Sequence, residues 1–193
     1  YSEGTSVLKN RTQGIEYYKR ACDQHIHWAI NNLAIHYFNG DGLPREQSKA
    51  VEMWRVGTEN GMIHSMLNLG NAYLDGAGTR RDVEEGLRWL GEAAEGGDRF
   101  AAQKLMNIFR EGDIVDKSEA DESYWMEVAA ENGDIGAMHS IALRYHEGKG
   151  TPRNYSKALY WGQRYLEKMK WSHRMYSRKQ FDVYMMIADI LTS

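Results

Sequence analysis

The chain has 193 residues, of which 42% are hydrophobic and 26% charged, a balance that suits a folded protein and excludes a disordered one. Lys and Arg number 24 against 27 for Asp and Glu, so a net charge of -3 provides no field for drawing in nucleic acid. The single cysteine, Cys22, excludes an intrachain disulfide and a thiolate zinc knuckle, and every apolar run falls well short of the roughly 18 residues of a membrane span. No signal-peptide pattern is present, and a chain opening at Tyr1 without methionine reads as a processed or trimmed product.

Displaced against itself by 36 residues, the sequence stays in step without a gap. Gly40, Gly76, Gly112 and Gly148 coincide, as do Tyr37, Tyr73, Phe109 and Tyr145, and Leu33, Leu69, Leu105 and Ile141. Small residues recur at Ala29, Ser65, Ala101 and Ala137, and Met53, Trp89, Trp125 and Trp161 share one large apolar column.

Residues 1–25 hold the second helix of a preceding partial repeat, with Tyr17 on the Trp column and Ala21 on a small column. Residues 26–61 form repeat one. Ala29, Leu33 and Tyr37 stand four apart on one stripe of a first helix, and the strand period does not fit. Gly40-Asp41-Gly42 supplies the positive-φ positions that end this helix, and Pro44 leads to a second helix carrying Ala50, Met53 or Trp54, and Gly57. Repeats two, three and four follow at 62–97, 98–133 and 134–170, and residues 171–193 make a terminal capping helix. The third unit departs from the pattern, with Ile114 for the second glycine and Glu122 for alanine. In the last segment Phe181 falls 36 residues after Tyr145 but Tyr184 occupies the glycine column, so the consensus breaks down there. The expected fold is an all-α, right-handed α/α solenoid in which stacking buries faces that one pair cannot bury alone, with the Trp column filling the wedge between pairs.

The run Ala137, Ile141, Ala142, Tyr145, Gly148, Gly150, Lys157, Ala158 and Trp161, with Ala129, Ala130 and Gly133 before it, resembles the Sel1-like repeat family, relatives of the tetratricopeptide repeats. The resemblance spans residues 26 to about 165. It implies a non-enzymatic adaptor or scaffold that binds another protein, without a cofactor. Its known settings are bacterial envelope and signalling proteins and eukaryotic membrane-protein quality control, and it tilts the expected compartment toward the periplasm or another extracytoplasmic space.

If the phase of the tetratricopeptide helix carries over, the first helices present an inner, concave row of Trp28, Asn31, Ile35 and Phe38, then His64, Leu67, Asn71 and Leu74, then Phe100, Gln103, Asn107 and Arg110, and last Gly136, His139, Leu143 and His146. Apolar side chains gather in the first two units, which marks a contact site for a partner's peptide or helix. The alternative is that some of them belong to the repeat core. Asn31, Asn71, Gln103 and Asn107 offer amides to an extended backbone, and Arg110 suits a carboxylate.

His25 with His27, and His139 with His146, lack the further ligands a metal needs, so solvent-facing or capping roles are the better account. Cys22 beside His25 and His27 is the single nucleophile and base combination, and local adjacency builds no oxyanion hole, so no enzyme is expected. The stretch Lys168 to Lys179, with Lys170, Arg174 and Arg178 among Trp171, Met175 and Tyr176, suits either an acidic protein or membrane surface or the exposed side of a cap. Three functions remain open at this stage: an adaptor using the concave face, a structural subunit using edges and termini, and a regulator of a partner enzyme or receptor.

Overall fold

The computed structural model describes residues 2–24, 26–170 and 178–192, with side chains from residue 12 onward. Its elements are α1 (Ser2–Asp23), α2 (His27–Asn39), α3 (Gln47–Glu59), α4 (Ile63–Asp75), α5 (Val83–Glu95), α6 (Arg99–Glu111), α7 (Glu119–Glu131), α8 (Ile135–Glu147), α9 (Tyr155–Met169) and α10 (Arg178–Thr192). The fold is an all-α solenoid of paired helices, with no strand among the described residues. No described helix is long and apolar enough to cross a bilayer.

Four pairs, α2–α3, α4–α5, α6–α7 and α8–α9, repeat one local design. Each first helix ends on a left-handed glycine, with φ of 73° at Gly40, 68° at Gly76, 73° at Gly112 and 76° at Gly148. The chain then returns along an extended connection. At its far end the amide of Glu46, Asp82, Ser118 or Asn154 donates to the carbonyl of Tyr37, Tyr73, Phe109 or Tyr145, at 2.8–3.0 Å. That bond ties the start of every second helix to the aromatic column of the first. Asp82, Ser118 and Asn154 also cap their helices by accepting from the amide three residues on.

The contacts divide the chain into two compact units, Tyr1–Gly96 and Gly97–Ser193. In the first, Ile15, Leu33, Tyr37, Val51, Trp54 and Leu69 form the buried cluster, with Tyr18, Cys22 and Phe38 packed against it. Within it α4 and α5 approach closely because Gly70 and Gly86 carry no side chain: a Cβ on Gly70 would lie 2.9 Å from Leu90 Cγ, and one on Gly86 would lie 2.6 Å from Leu74 Cδ2. In the second unit Leu105, Met126, Met138, Ile141, Trp161 and Val183 are buried.

The Trp column is a partial correction. Trp161 is buried, but Met53, Trp89 and Trp125 are only half-buried, and the fully packed position is the next residue along, at Trp54, Leu90 and Met126. The helix rotates that residue directly toward its partner. The fourth pair has Gly162 there, and α10 fills the gap with Met186 and Val183, which would stand 2.9 and 3.1 Å from an added Cβ. Truncation of Trp161 to alanine should therefore cost roughly 3–5 kcal/mol, and the same change at Trp125 clearly less, as read from denaturant midpoints. Equal losses at the two sites would contradict the packing described.

Gly61 and Gly78 separate two reasons for glycine. Both have positive φ, 71° and 76°, yet a Cβ at Gly61 meets open space while one at Gly78 collides with the backbone of Gln47. Gly61→Ala should cost about 1 kcal/mol, the conformational penalty alone, and Gly78→Ala distinctly more by the same measurement.

Candidate functional site

The expected inner row is only partly a surface. In α2, Trp28 is 55% and Ile35 37% exposed, and Trp28 meets the edge of Tyr18 from α1 at 6.0 Å between ring centroids. In α4, His64 is exposed, while Leu67 and Asn71 are half-buried. Three members of the row turn inward. Asn31 is buried and accepts from Asn68 Nδ2 at 2.9 Å, so its amide ties α2 to α4 and is not offered to a ligand. Leu74 is buried in the space left by Gly86, and Phe38 lies against Trp54 at 5.1 Å. The physical reason is phase. Positions 38 and 74 follow the aromatic column by one residue and face the second helix of their own pair.

In the second unit the polar members of the row are taken by neighbours. Phe100 remains 59% exposed beside Arg99. Gln103 donates to Asp134, and Asn107 accepts from Arg110 at 3.2 Å. Arg110, expected to meet a ligand's carboxylate, meets Glu122 of α7 at 2.6 Å. The other oxygen of Glu122 lies 2.6 Å from Arg144 of α8, which also reaches Ser123 Oγ at 2.7 Å. Desolvation pushes the Glu122 carboxyl pKa up, but hydrogen bonds from Arg110 and Arg144, with their charges, outweigh it and hold the group below its ordinary range. The exchange of alanine for Glu122 was visible in the sequence. Its two partners were not, because they come from different helices.

A second polar cluster joins α7, α8 and α9. Glu127 accepts from Tyr145 Oη, from Lys157 Nζ at 3.0 Å and from Trp161 Nε1 at 3.1 Å, so a buried tryptophan and tyrosine both find partners. Desolvation again acts upward on the carboxyl, and these bonds bring it below its usual value.

The histidines divide differently from expectation. His139, expected on the surface, is buried with its ring 5.3 Å from Tyr165, and Nε2 has no hydrogen-bond partner among the described residues. Desolvation lowers its pKa, Lys179 lowers it further, and Asp182 opposes them. His146 pairs with Asp189 of α10 at 2.8 Å. His27 is exposed, whereas His25, Trp171, Arg174, Met175 and Tyr176 lie outside the described residues. Among the described residues no group of three His, Cys, Asp or Glu is placed to hold a metal. Cys22 is half-buried, and desolvation followed by the Asp23 charge raises its pKa, so the thiol stays protonated at neutral pH. An open hollow of about 750 Å³ is lined by Arg45, Glu46, Lys49 and Glu52 at the start of α3, and none of the expected partner-binding residues lines it.

The Sel1 repeat pattern matches residues 1–25, 29–62, 63–98, 124–134 and 135–164, well over half of the sequence. The chain belongs to the Sel1 repeat family. The match to this Sel1 repeat chain omits residues 99–123, the stretch that holds Ile114, Arg110 and Glu122. Among solved structures it is similar to a Sel1 repeat protein from Oxalobacter formigenes, with a TM-score of 0.65 and 23% identity over 82% of this chain and 46% of that one. It is also similar to c5321, a protective antigen of uropathogenic Escherichia coli with an SLR fold, with a TM-score of 0.63 and 24% identity over 93% of this chain and 41% of that one. The chain thus spans less than half the length of either. No curated protein matches it. As a Sel1 repeat chain it is, in general terms, a protein-interaction scaffold.

Glu122 and His139 make opposite use of burial. Glu122→Ala leaves Arg144, whose side chain is 13% exposed, without its carboxylate and should cost about 3 kcal/mol. Because the folded pKa of Glu122 is depressed, its contribution is complete above the unfolded value of about 4.3 and is lost as pH falls through the lower folded value. Glu122→Gln should remove that acid-dependent part of a melting profile. For His139 the folded pKa is also depressed, so the unfolded chain takes up the proton first. Stability should be full above about pH 6.5 and decline below it, a decline that His139→Leu abolishes in thermal melts.

Proposed function

We propose that the chain is a non-enzymatic adaptor that holds a peptide or helix of a partner protein on the α2 and α4 surface, centred on Trp28, Ile35, His64, Leu67 and Asn71. The observation that carries this reading is the exposure of Trp28 and Ile35, at 55% and 37%, on a helix whose opposite side is fully packed. An exposed tryptophan beside aliphatic side chains costs hydration free energy that folding of the chain does not recover, and such residues commonly anchor interfaces. Half-buried Leu67 and Asn71 supply a floor with one apolar and one amide group. The second unit supports this asymmetry, since Gln103, Asn107 and Arg110 are engaged with Asp134, Arg110 and Glu122.

The test is a partner identified by cross-linking mass spectrometry, followed by affinity measurement with a peptide of that partner. Trp28→Ser combined with Ile35→Ser should weaken the peptide by at least about thirtyfold, the equivalent of ~2 kcal/mol, while circular dichroism stays helical. Undiminished binding by the folded double variant would reject this surface. A second reading, in which the chain is a structural subunit of a larger assembly that uses its edges and termini, is favoured by the exposure of Phe181, Tyr184, Met185 and Leu191 along α10.

A further inference from the structure

His139 and His146, seven residues apart on α8, both face α10, and they meet it differently. His146 Nε2 lies 2.8 Å from Asp189 Oδ2 of α10. One step of seven earlier on each helix stand His139 and Asp182, whose charge reaches the His139 ring. Two turns of helix take about seven residues, so the equal step means that α8 and α10 run in the same direction, with the two His and Asp positions as successive rungs.

Only the second rung is made. His139 is buried, and its Nε2 has no hydrogen-bond partner among the described residues. The titratable and charged groups that face it are Tyr165 on α9, with Lys179 and Asp182 on α10. The third helix packed on α8, α7, adds no charge acting on the ring among the described residues. Lys179 precedes Asp182 by three residues, about one turn of α10, and opposes the charge that a proton would bring. Burial first, then Lys179, holds the imidazole below its ordinary pKa, and Asp182 only partly offsets them.

With His139 neutral the contact is an apolar one. Val183 and Met186, between the two rungs in sequence, are buried and stand against Gly162 of α9. A proton on His139 puts a charge into that contact with no acceptor bonded to it, and the charged ring recovers its hydration only when α10 moves off it. A proton on His146 has the reverse effect, because it turns the contact with Asp189 into an ion pair.

We infer that the contact of α10 with α8 and α9 is an acid-opened joint: a proton on His139 parts the helices at Asp182, while His146 holds them together at Asp189. The helix therefore pivots and does not detach. The surface it uncovers holds Gly162, Tyr165 and the His139 ring, and the apolar contact recloses the joint when the proton leaves. The response is confined to this contact, and α2 to α9 stay folded through the same pH range. Parted from its support, a helix of 15 residues frays, which makes the opening visible in its own amides.

Hydrogen exchange of the 193-residue chain, read as residue-by-residue protection factors between about pH 7.5 and about pH 5, tests the joint. Protection of the amides from Val183 to Met186 should fall below about pH 6.5, by at most about tenfold per pH unit because a single proton is taken up. Amides of α2 to α9 should keep theirs. His139→Leu should abolish the fall, and His146→Ala should extend it to residues 187–191. Protection that stays flat or rises in acid overturns the proposal, a rise meaning that Asp182 closes on His139. So does an equal fall in His139→Leu, an unchanged pattern in His146→Ala, or a fall shared by all the helices. His139→Met takes the place of His139→Leu if that variant loses its helical circular dichroism.

Discussion

The close approach of the two helices in each pair is the constraint on which the rest of the structure depends. A first helix ends in a left-handed glycine, crosses an extended connection and is tied back by one amide on its aromatic column, and this geometry holds the axes close enough that facing side chains must complement in size. Leu74 lies on Gly86 for this reason. In the third pair the same two columns read Arg110 and Glu122, so a steric match is replaced by an ionic one, with Arg144 as the second cation. Ion pairing under partial burial demands complete satisfaction, and the three helices α6, α7 and α8 are specified together by it.

That replacement bears on function through what it removes from the surface. The polar side chains Gln103, Asn107 and Arg110, which sequence phase assigns to a ligand, are in the second unit already partners of other residues of the chain, while Phe100 stays exposed. In the first unit the corresponding positions are, apart from His64, apolar or amide. Some are consumed by packing, as Asn31, Phe38 and Leu74 are, and others, Trp28 and Ile35 above all, are left facing solvent. The distinction between these two groups is one of helical phase, about one residue's rotation, and it separates core from candidate interface.

By itself the sequence determined the repeat length through residue 170, the pairing of helices, the glycine turns and the family, because these follow from short-range rules: helical period, positive φ at glycine, and a spacing that recurs without gaps. It also marked Glu122 and Ile114 as departures. What it left undecided was every matter that depends on which side of a helix meets a neighbour. Whether Trp or the residue after it fills the core, whether Asn31 serves a ligand or Asn68, and whether His139 is wet or dry all turn on a rotation of roughly 100° per residue, which a column of like residues does not fix. The packing of α10 was hidden for a related reason. Its residues break the repeat columns, and only the approach of Val183 and Met186 to Gly162 shows what the helix covers.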